Sequence, residues 1–168
     1  FGPSVFGCQA PDSGNAEILA KFGTPEQKEK YLKPLLNAEI ASCYSMTEPQ
    51  AGADPGEFLC TATQDGDDWV INGEKWFASH ARFSAFLLVM VVTNPDVPIH
   101  EGASIFLVEQ GTRGMEIIRN SAVGPYIEQG DGVHAYISFK DCRVPAENLL
   151  GNEGQGFHVA QTRLGGGR

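Results

Sequence analysis

From about residue 40 onward, the chain is divided into many short stretches that carry the apolar patterns of β-strands. Glycine, aspartate, asparagine and proline separate these stretches, and these residue types favour turns. The pattern predicts strands at residues 41–47, 58–64, 69–73, 74–79, 85–93, 103–109, 115–119 and 133–144. Many short strands joined by such turns favour a closed or sandwiched antiparallel sheet.

Helical patterns flank this strand region at both ends. Asp12 or Ser13 is expected to cap a helix that runs to about Phe22. The segment TPEQ at residues 24–27 combines a capping box with a proline in the first turn of the next helix. A last helix is expected at residues 157–164.

The second helix has a predicted buried face and a predicted irregularity. Pro34 is expected to kink or tighten the end of this helix, because proline lacks the backbone N–H group. The apolar spacing predicts a buried stripe formed by Tyr31, Leu32, Leu35 and Leu36.

Composition limits the classes of protein that this chain can represent. With 168 residues, of which 42% are hydrophobic, it can form one domain with a sizeable core. A net charge of -9 without a basic stripe argues against nucleic acid as a partner. The longest apolar run, at residues 85–92, suits a buried strand and is too short to span a membrane.

No residue pattern indicates a metal site. The four cysteines are far apart in sequence, which favours isolated reduced thiols. The aspartates around Gly66 resemble a hairpin turn more than a calcium loop, because the closing glutamate is missing. The histidines are scattered and are interpreted as surface or core residues; they are His80, His100, His134 and His158.

Two segments are predicted to meet at one rim of the sheet. Residues 44–54 begin as an alternating strand that breaks at Pro49, and residues 71–79 are predicted to form a hairpin that turns at Asn72-Gly73. The hydroxyls of Thr47 and Ser79 and the rings of Trp76 and Phe77 then converge, which suits a flat ring with polar edges. Alternatively, the aromatic residues belong to the barrel core and the hydroxyls bond to nearby backbone groups.

Four motifs in a fixed order resemble the acyl-CoA dehydrogenase family over nearly the whole chain. They are FGTPEQK at 22–28, MTEP at 46–49 followed by Gly52 and Asp54, INGEKWF at 71–77, and VPAEN at 144–148 leading to GNEGQGF at 151–157. The segments CQAPDSGN at 8–15 and RLGGGR at 163–168 are most similar to the branch that contains the human kinase-fused acyl-CoA dehydrogenases.

The resemblance implies an α+β fold in which a central antiparallel β-barrel-like domain is flanked by helices. Residues 1–39 would end an N-terminal helical domain, residues 40–150 would form the middle β-domain, and residues 151–168 would begin a C-terminal helical domain.

The resemblance also implies a flavin-dependent oxidoreductase. The expected reaction converts an acyl-CoA thioester to the 2-enoyl-CoA, with FAD as the cofactor and an electron-transfer flavoprotein as the electron acceptor. The family's catalytic glutamate lies in the C-terminal domain, so no catalytic residue is expected in this chain; Glu48 is interpreted as shaping the turn with Pro49.

The same resemblance implies a homodimer or homotetramer, located in the cytoplasm of a bacterium or in a mitochondrion or peroxisome. Two alternatives remain open. One is an acyl-CoA oxidase or flavin monooxygenase of the same fold, and the other is a noncatalytic β-barrel domain that binds a ligand or partner.

Residues are assigned to the implied site by their positions in the matching motifs. Thr47 would bond to the pyrimidine side of the flavin, and Ser79 would lie near N5. Ala53 and Arg168 would contact the acyl-CoA, although Ala53 stands where the family usually has Ser or Thr, and Gly165 where it has an acidic residue. The complete set of expected FAD contacts is Tyr44, Met46, Thr47, Gly52, Ala53, Phe77 and Ser79.

Overall fold

The computed structural model describes residues 10–121 and 134–165. Its helices are α1 (Asp12–Phe22), α2 (Pro25–Gln27), a π-helical turn (Lys28–Leu32), α3 (Lys33–Leu36), α4 (Ile99–Gly102) and α5 (Gly156–Gly165). Its strands are β1 (Ser42–Ser45), β2 (Thr61–Asp65), β3 (Asp68–Ser79), β4 (Phe86–Val92), β5 (Ala103–Glu109), β6 (Met115–Ser121) and β7 (His134–Pro145). Short 3₁₀ turns lie at Pro55–Glu57 and Ala146–Asn148.

The strands form one sheet that contains both antiparallel and parallel pairs. Its order is β1-β4-β2-β3-β7-β6, and β5 pairs with β4. The α+β class is therefore confirmed. The antiparallel arrangement expected from the sequence is present in most pairings, and two pairings, β1 with β4 and β2 with β4, are parallel instead. Strands β1 and β2 both run in the same direction as β4, so both pairs are parallel.

Strand β4 is apolar throughout because both of its faces are buried. Leu87, Val89 and Val91 pack into a cluster with side chains from the other strands. Phe86 and Leu88, with the other side chains of the opposite face, join a second cluster that includes residues of α1 and α5. The sheet thus has one core within it and another between the sheet and the helices.

The predicted turn at Asn72-Gly73 is wrong. Strand β3 continues through these residues, and the β3–β7 pairing shifts between Ile71 and Gly73. Gly73 has φ 139°, and a Cβ atom there would lie 2.5 Å from the Cα of Cys60. A close backbone approach, rather than a turn, therefore requires glycine here. The turn predicted around Gly66 is confirmed, since it joins β2 to β3.

The helix starts are partly as predicted. The capping box at Thr24 and Gln27 is present. The predicted cap from Asp12 or Ser13 is wrong, because Pro11 occupies the cap position without a side-chain bond. The Asp12 carboxylate instead accepts hydrogen bonds from the backbone N–H and hydroxyl of Ser42, and so joins α1 to β1.

The irregularity expected at Pro34 takes the form of the π-helical turn. The Lys33 N–H donates to the Lys28 carbonyl there, immediately before the residue that has no N–H group. Tyr31 and Leu35 are buried as predicted, but Leu36 is 68% exposed and Leu32 is only partly buried. The wider turn changes the direction of the side chains that follow, which a regular helical period does not anticipate.

Candidate cofactor site

A β-bulge in β3 presents an aromatic surface at the rim of the sheet. The pairing with β7 shifts between Lys75 and Ala78, so that Trp76 and Phe77 together lie opposite Tyr136. Such a bulge changes the direction of side chains along a strand. Phe77 has φ 53° and is 53% exposed, and its ring stacks on that of Trp76 with centroids 5.1 Å apart. A positive φ is costly for a bulky residue, so the surrounding pairing must hold this arrangement.

A cavity of about 230 Å³ adjoins this aromatic surface. The convergence expected from the sequence is confirmed, since the hydroxyl residues Thr47 and Ser79 and the aromatic pair all line one cavity. The complete lining is Ala10, Pro11, Tyr44, Met46, Thr47, Trp76, Phe77, Ser79 and Arg163. The cavity therefore combines a flat apolar wall with hydroxyl groups.

A buried ion pair fixes the loop end of this cavity. The Lys75 ammonium donates to Glu48 Oε1 at 2.7 Å and to the Met46 carbonyl at 2.9 Å. The Glu48 carboxylate also accepts hydrogen bonds from the backbone N–H groups of Leu59 and Cys60. The interpretation of Glu48 as a residue that shapes the turn is thus confirmed.

The same ion pair positions the two segments that carry the site. Burial lowers the pKa of Lys75, while electrostatic interactions with Cys60 and Glu48 act in the opposite direction. The Trp76 N–H donates to the Thr47 carbonyl at 2.8 Å. The strand end that carries Thr47 is therefore bonded directly to the bulge that carries the aromatic pair.

Comparison with known proteins establishes the family. The model of the acyl-CoA dehydrogenase middle domain matches residues 43–142. The chain belongs to the acyl-CoA dehydrogenase family. It is 45% identical to the Mycobacterium tuberculosis protein named probable acyl-CoA dehydrogenase FadE2, and the match covers 100% of this chain and 42% of that protein. It is 43% identical to human acyl-CoA dehydrogenase family member 11, over 100% of this chain and 22% of that protein.

A solved structure of this family has the same fold. An acyl-CoA dehydrogenase structure from Mycobacterium abscessus matches with a TM-score of 0.90 and 39% identity. The match covers 99% of this chain and 42% of that one. This member of the acyl-CoA dehydrogenase family thus spans less than half the length of these three relatives.

The structure brings together most of the residues expected to contact FAD from the family motifs. Tyr44, Met46, Thr47, Phe77 and Ser79 line the cavity. Gly52 and Ala53 lie on an exposed loop and are not among the residues that line it. Arg168 lies outside the described residues.

His134 is a site residue that the sequence did not reveal. Its Nδ1 lies 2.8 Å from the Ser79 hydroxyl, and its ring meets Phe77 edge-on at 6.5 Å. The interpretation of the histidines as surface or core residues did not anticipate this contact between His134 and Ser79. No local pattern could show this, because the contact depends on the pairing of β3 with β7.

Arg163 is a second residue that the motifs did not reveal. It lies on α5, and its guanidinium stands 4.1 Å from the centre of the Tyr44 ring. The RLGGGR motif indicated Arg168, which the structure does not describe, and helix α5 places Arg163 at the cavity. The motif gave no indication of Arg163, because its contact with Tyr44 depends on how α5 packs against the sheet.

Three cysteines of this family member lie in the described part of the chain. Within the described residues, Cys43, Cys60 and Cys142 are free and buried. Burial raises the pKa of Cys60 to about 12 and that of Cys142 to about 11, so both thiols remain protonated near neutral pH.

Across residues 10–121 and 134–165, no group of three or more histidine, cysteine, aspartate or glutamate side chains is arranged to hold a metal ion. No helix in that part of the chain is sufficiently long and apolar to cross a membrane.

Proposed function

We propose that the complete protein is an FAD-dependent acyl-CoA dehydrogenase that converts a saturated acyl-CoA thioester to the 2-enoyl-CoA. The observation that carries this proposal is the cavity where Thr47 and Ser79 flank the aromatic surface of Trp76 and Phe77. Membership of the acyl-CoA dehydrogenase family supports it.

The residues of the cavity fit the flavin ring of FAD. The rings of Trp76 and Phe77 stack with 8° between their planes, and the exposed Phe77 ring provides a flat apolar surface. Among the described residues, the Thr47 hydroxyl has no hydrogen-bond partner, and the buried Trp76 Nε1 also has none. A ligand with polar edges would satisfy such groups, and bound FAD would accept the β-hydrogen of the thioester as hydride.

Each wall of the cavity has a proposed role. Tyr44 and Met46 lie along the ring, and Thr47 bonds to its pyrimidine side. On the opposite strand, Phe77 covers the ring and Ser79 offers its hydroxyl near N5. These assignments follow the family motifs, and the common cavity supports them.

Further contacts come from segments beside the cavity. We propose that Gly52 and Ala53 contact the flavin and the acyl chain from their exposed loop, and that Arg168 contacts the CoA portion. The alanine at position 53 lacks the hydroxyl that relatives commonly supply there, so one hydrogen bond to these ligands is absent compared with those relatives.

The remaining parts of the reaction belong to the complete protein. In this proposal residues 1–39 end an N-terminal helical domain, residues 40–150 form the middle domain, and residues 151–168 begin the C-terminal helical domain. The carboxylate that removes the α-proton lies outside this chain, since Glu48 already binds Lys75 and two backbone N–H groups.

The protein also needs an electron acceptor and a subunit arrangement. We propose an electron-transfer flavoprotein as the acceptor and a homodimer or homotetramer as the assembly. Its compartment would be the cytoplasm of a bacterium, or a mitochondrion or peroxisome of a eukaryote.

The test is the visible spectrum of the purified full-length protein, recorded without oxygen before and after addition of saturated acyl-CoA thioesters. Bleaching of a bound flavin by a thioester supports the proposal. A bound flavin that no thioester in a broad panel bleaches would count against it. Reoxidation by oxygen, rather than by an electron-transfer flavoprotein, would instead indicate an oxidase.

Removal of both hydroxyls should weaken FAD binding. The double variant Thr47→Ala/Ser79→Ala is expected to raise the FAD dissociation constant about ten-fold or more, because two hydrogen bonds are lost. Fluorescence titration of the apoprotein measures this constant. Thr63→Ala, at an exposed position of β2, is the control and should leave it unchanged. An unaltered constant and flavin spectrum in the double variant would contradict the assignment.

His134 should control the direction of the Ser79 hydroxyl. When Nδ1 carries a proton it donates to Ser79, whose own hydroxyl proton is then free for the ligand; without that proton, Nδ1 accepts from Ser79. His134→Phe is therefore expected to shift the absorption bands of bound FAD, whereas His134→Asn, which keeps a polar group at the Nδ1 position, should restore them.

The control for this prediction is His80→Asn, which changes the histidine next to Ser79 in sequence. His80 makes no ring hydrogen bond among the described residues, so this change should leave the spectrum as it is. In a Ser79→Ala background, His134→Phe should have no further effect. An equal shift in both backgrounds would show that His134 acts independently of Ser79.

A further inference from the structure

The guanidinium of Arg163 is a cation that lines the cavity without an ionic partner among the described residues. No carboxylate in that part of the chain lies at ion-pair distance from it. The charge of Glu17 acts to raise the pKa of Arg163, but the two side chains do not form an ion pair. The described part of the chain therefore leaves the charge of Arg163 without a direct counterion.

Three elements hold the arginine side chain in place. Its Nε donates to Asn15 Oδ1 at 3.0 Å, and Asn15 Nδ2 donates to the Ser42 hydroxyl at 2.8 Å. The Ser42 hydroxyl in turn donates to Asp12 Oδ1. These bonds connect α5, α1 and β1, and they occupy only the Nε of the guanidinium. Neither terminal nitrogen forms a hydrogen bond with the described residues, so both can contact a ligand.

The chain also leaves room for this side chain. A Cβ atom at position 14 would lie 3.0 Å from Arg163 Cγ, so Gly14 allows the stem of the arginine to pass. The guanidinium rests on the Tyr44 ring, which provides a cation–π contact. Neither contact supplies a negative charge.

The position has an electrostatic cost. Burial lowers the pKa of Arg163, with opposing influences from Tyr44, Cys43 and Glu17. A partly desolvated cation without a counterion is unfavourable, and an anionic group on a ligand would offset this cost. The paired nitrogens of a guanidinium match the two oxygens of a carboxylate.

We propose that Arg163 forms an oxyanion-binding subsite that selects acyl groups bearing a negatively charged oxygen group, such as a terminal carboxylate. The subsite rests on the proposed function, since it assigns the acyl portion of the substrate to this side of the cavity. It identifies Arg163 as a residue that determines substrate specificity.

The test compares matched pairs of CoA thioesters with the full-length protein. Each pair has the same acyl length and ends in either a carboxylate or a carboxamide. Calorimetric titration gives the dissociation constants, and bleaching of bound flavin gives kcat/KM. The wild-type protein is expected to prefer the carboxylate. Arg163→Met should reduce that preference about ten- to a hundred-fold, with a smaller loss of binding for the carboxamide than for the carboxylate.

Two variants accompany this comparison. Arg163→Lys keeps the charge without the paired nitrogens and should retain part of the preference, which also covers the case in which Arg163→Met fails to fold. Arg143→Met is the matched control, because Arg143 is a surface residue that forms an ion pair with Asp65. It should leave the preference unchanged.

Other outcomes would overturn the subsite. A wild-type protein without a preference between the paired thioesters, or equal losses for both in Arg163→Met, would show that Arg163 only joins α1 to α5. A rise in the FAD dissociation constant with the preference intact would place the guanidinium on the cofactor. Failure of the dehydrogenase proposal is distinguishable, because calorimetry still measures the preference when no thioester bleaches the flavin.

Discussion

Replacement of Lys75 by methionine is expected to destabilise the middle domain by about 3–5 kcal/mol. Methionine has a similar length, but it leaves the buried Glu48 carboxylate without its cation. The Glu48 bonds to the backbone of Leu59 and Cys60 satisfy part of that charge, and they do not replace the ammonium. The Met46 carbonyl also loses its donor.

Hydrogen exchange of the β3 amides in the full-length protein measures the loss of stability in Lys75→Met as a lower free energy of opening. Lys33→Met is the matched control, since it removes an exposed ion pair with Glu29 and should cost no more than about 0.5 kcal/mol. The double variant Lys75→Met/Glu48→Gln should recover part of the stability, because it buries no unpaired charge. Equal effects of Lys75→Met and Lys33→Met would show that the buried pair contributes little.

Replacement of Gly73 by alanine is expected to cost about 3 kcal/mol or more. The new Cβ would lie 2.5 Å from Cys60 Cα, which is backbone and cannot rotate aside. The φ of 139° is also unfavourable for alanine. The change should loosen the start of β2 and the β3–β7 pairing next to it.

Substitutions at two other glycines separate the cost of the steric clash from the cost of the positive φ. Gly66 has φ 65° and open space around it, so Gly66→Ala should cost about 1 kcal/mol from backbone strain alone. Gly52 has open space and no such φ, and Gly52→Ala should have little effect. The same exchange measurement applies to all three variants. If Gly73→Ala cost no more than Gly66→Ala, the close approach to Cys60 would not determine the choice of glycine.

The sequence alone predicted the features that depend on neighbouring residues. Apolar periodicity indicated the strand-rich middle and the helices on either side, and the continuous apolar run identified β4 as a buried strand. Turn chemistry located the hairpin at Gly66, and the capping box marked the start of α2 at Thr24. The order of four motifs was sufficient to indicate the family.

Other features were decided by contacts between distant segments. An asparagine followed by glycine suits a hairpin turn, and at Asn72 and Gly73 the same pair lies within a continuous strand because β3 is held against β2 and β7. The helical period likewise failed at Leu36, which follows a π-helical turn.

The residues of the site also include some that the sequence predicted and others that only tertiary contacts determined. The sequence by itself determined which segments approach the rim, since strand pattern and motif order place Thr47 and Ser79 there. Only the tertiary structure decided that His134 meets Ser79, that Lys75 is buried against Glu48, and that Arg163 rests on Tyr44. The reason is physical: these contacts depend on strand register and helix packing, which local propensities do not specify.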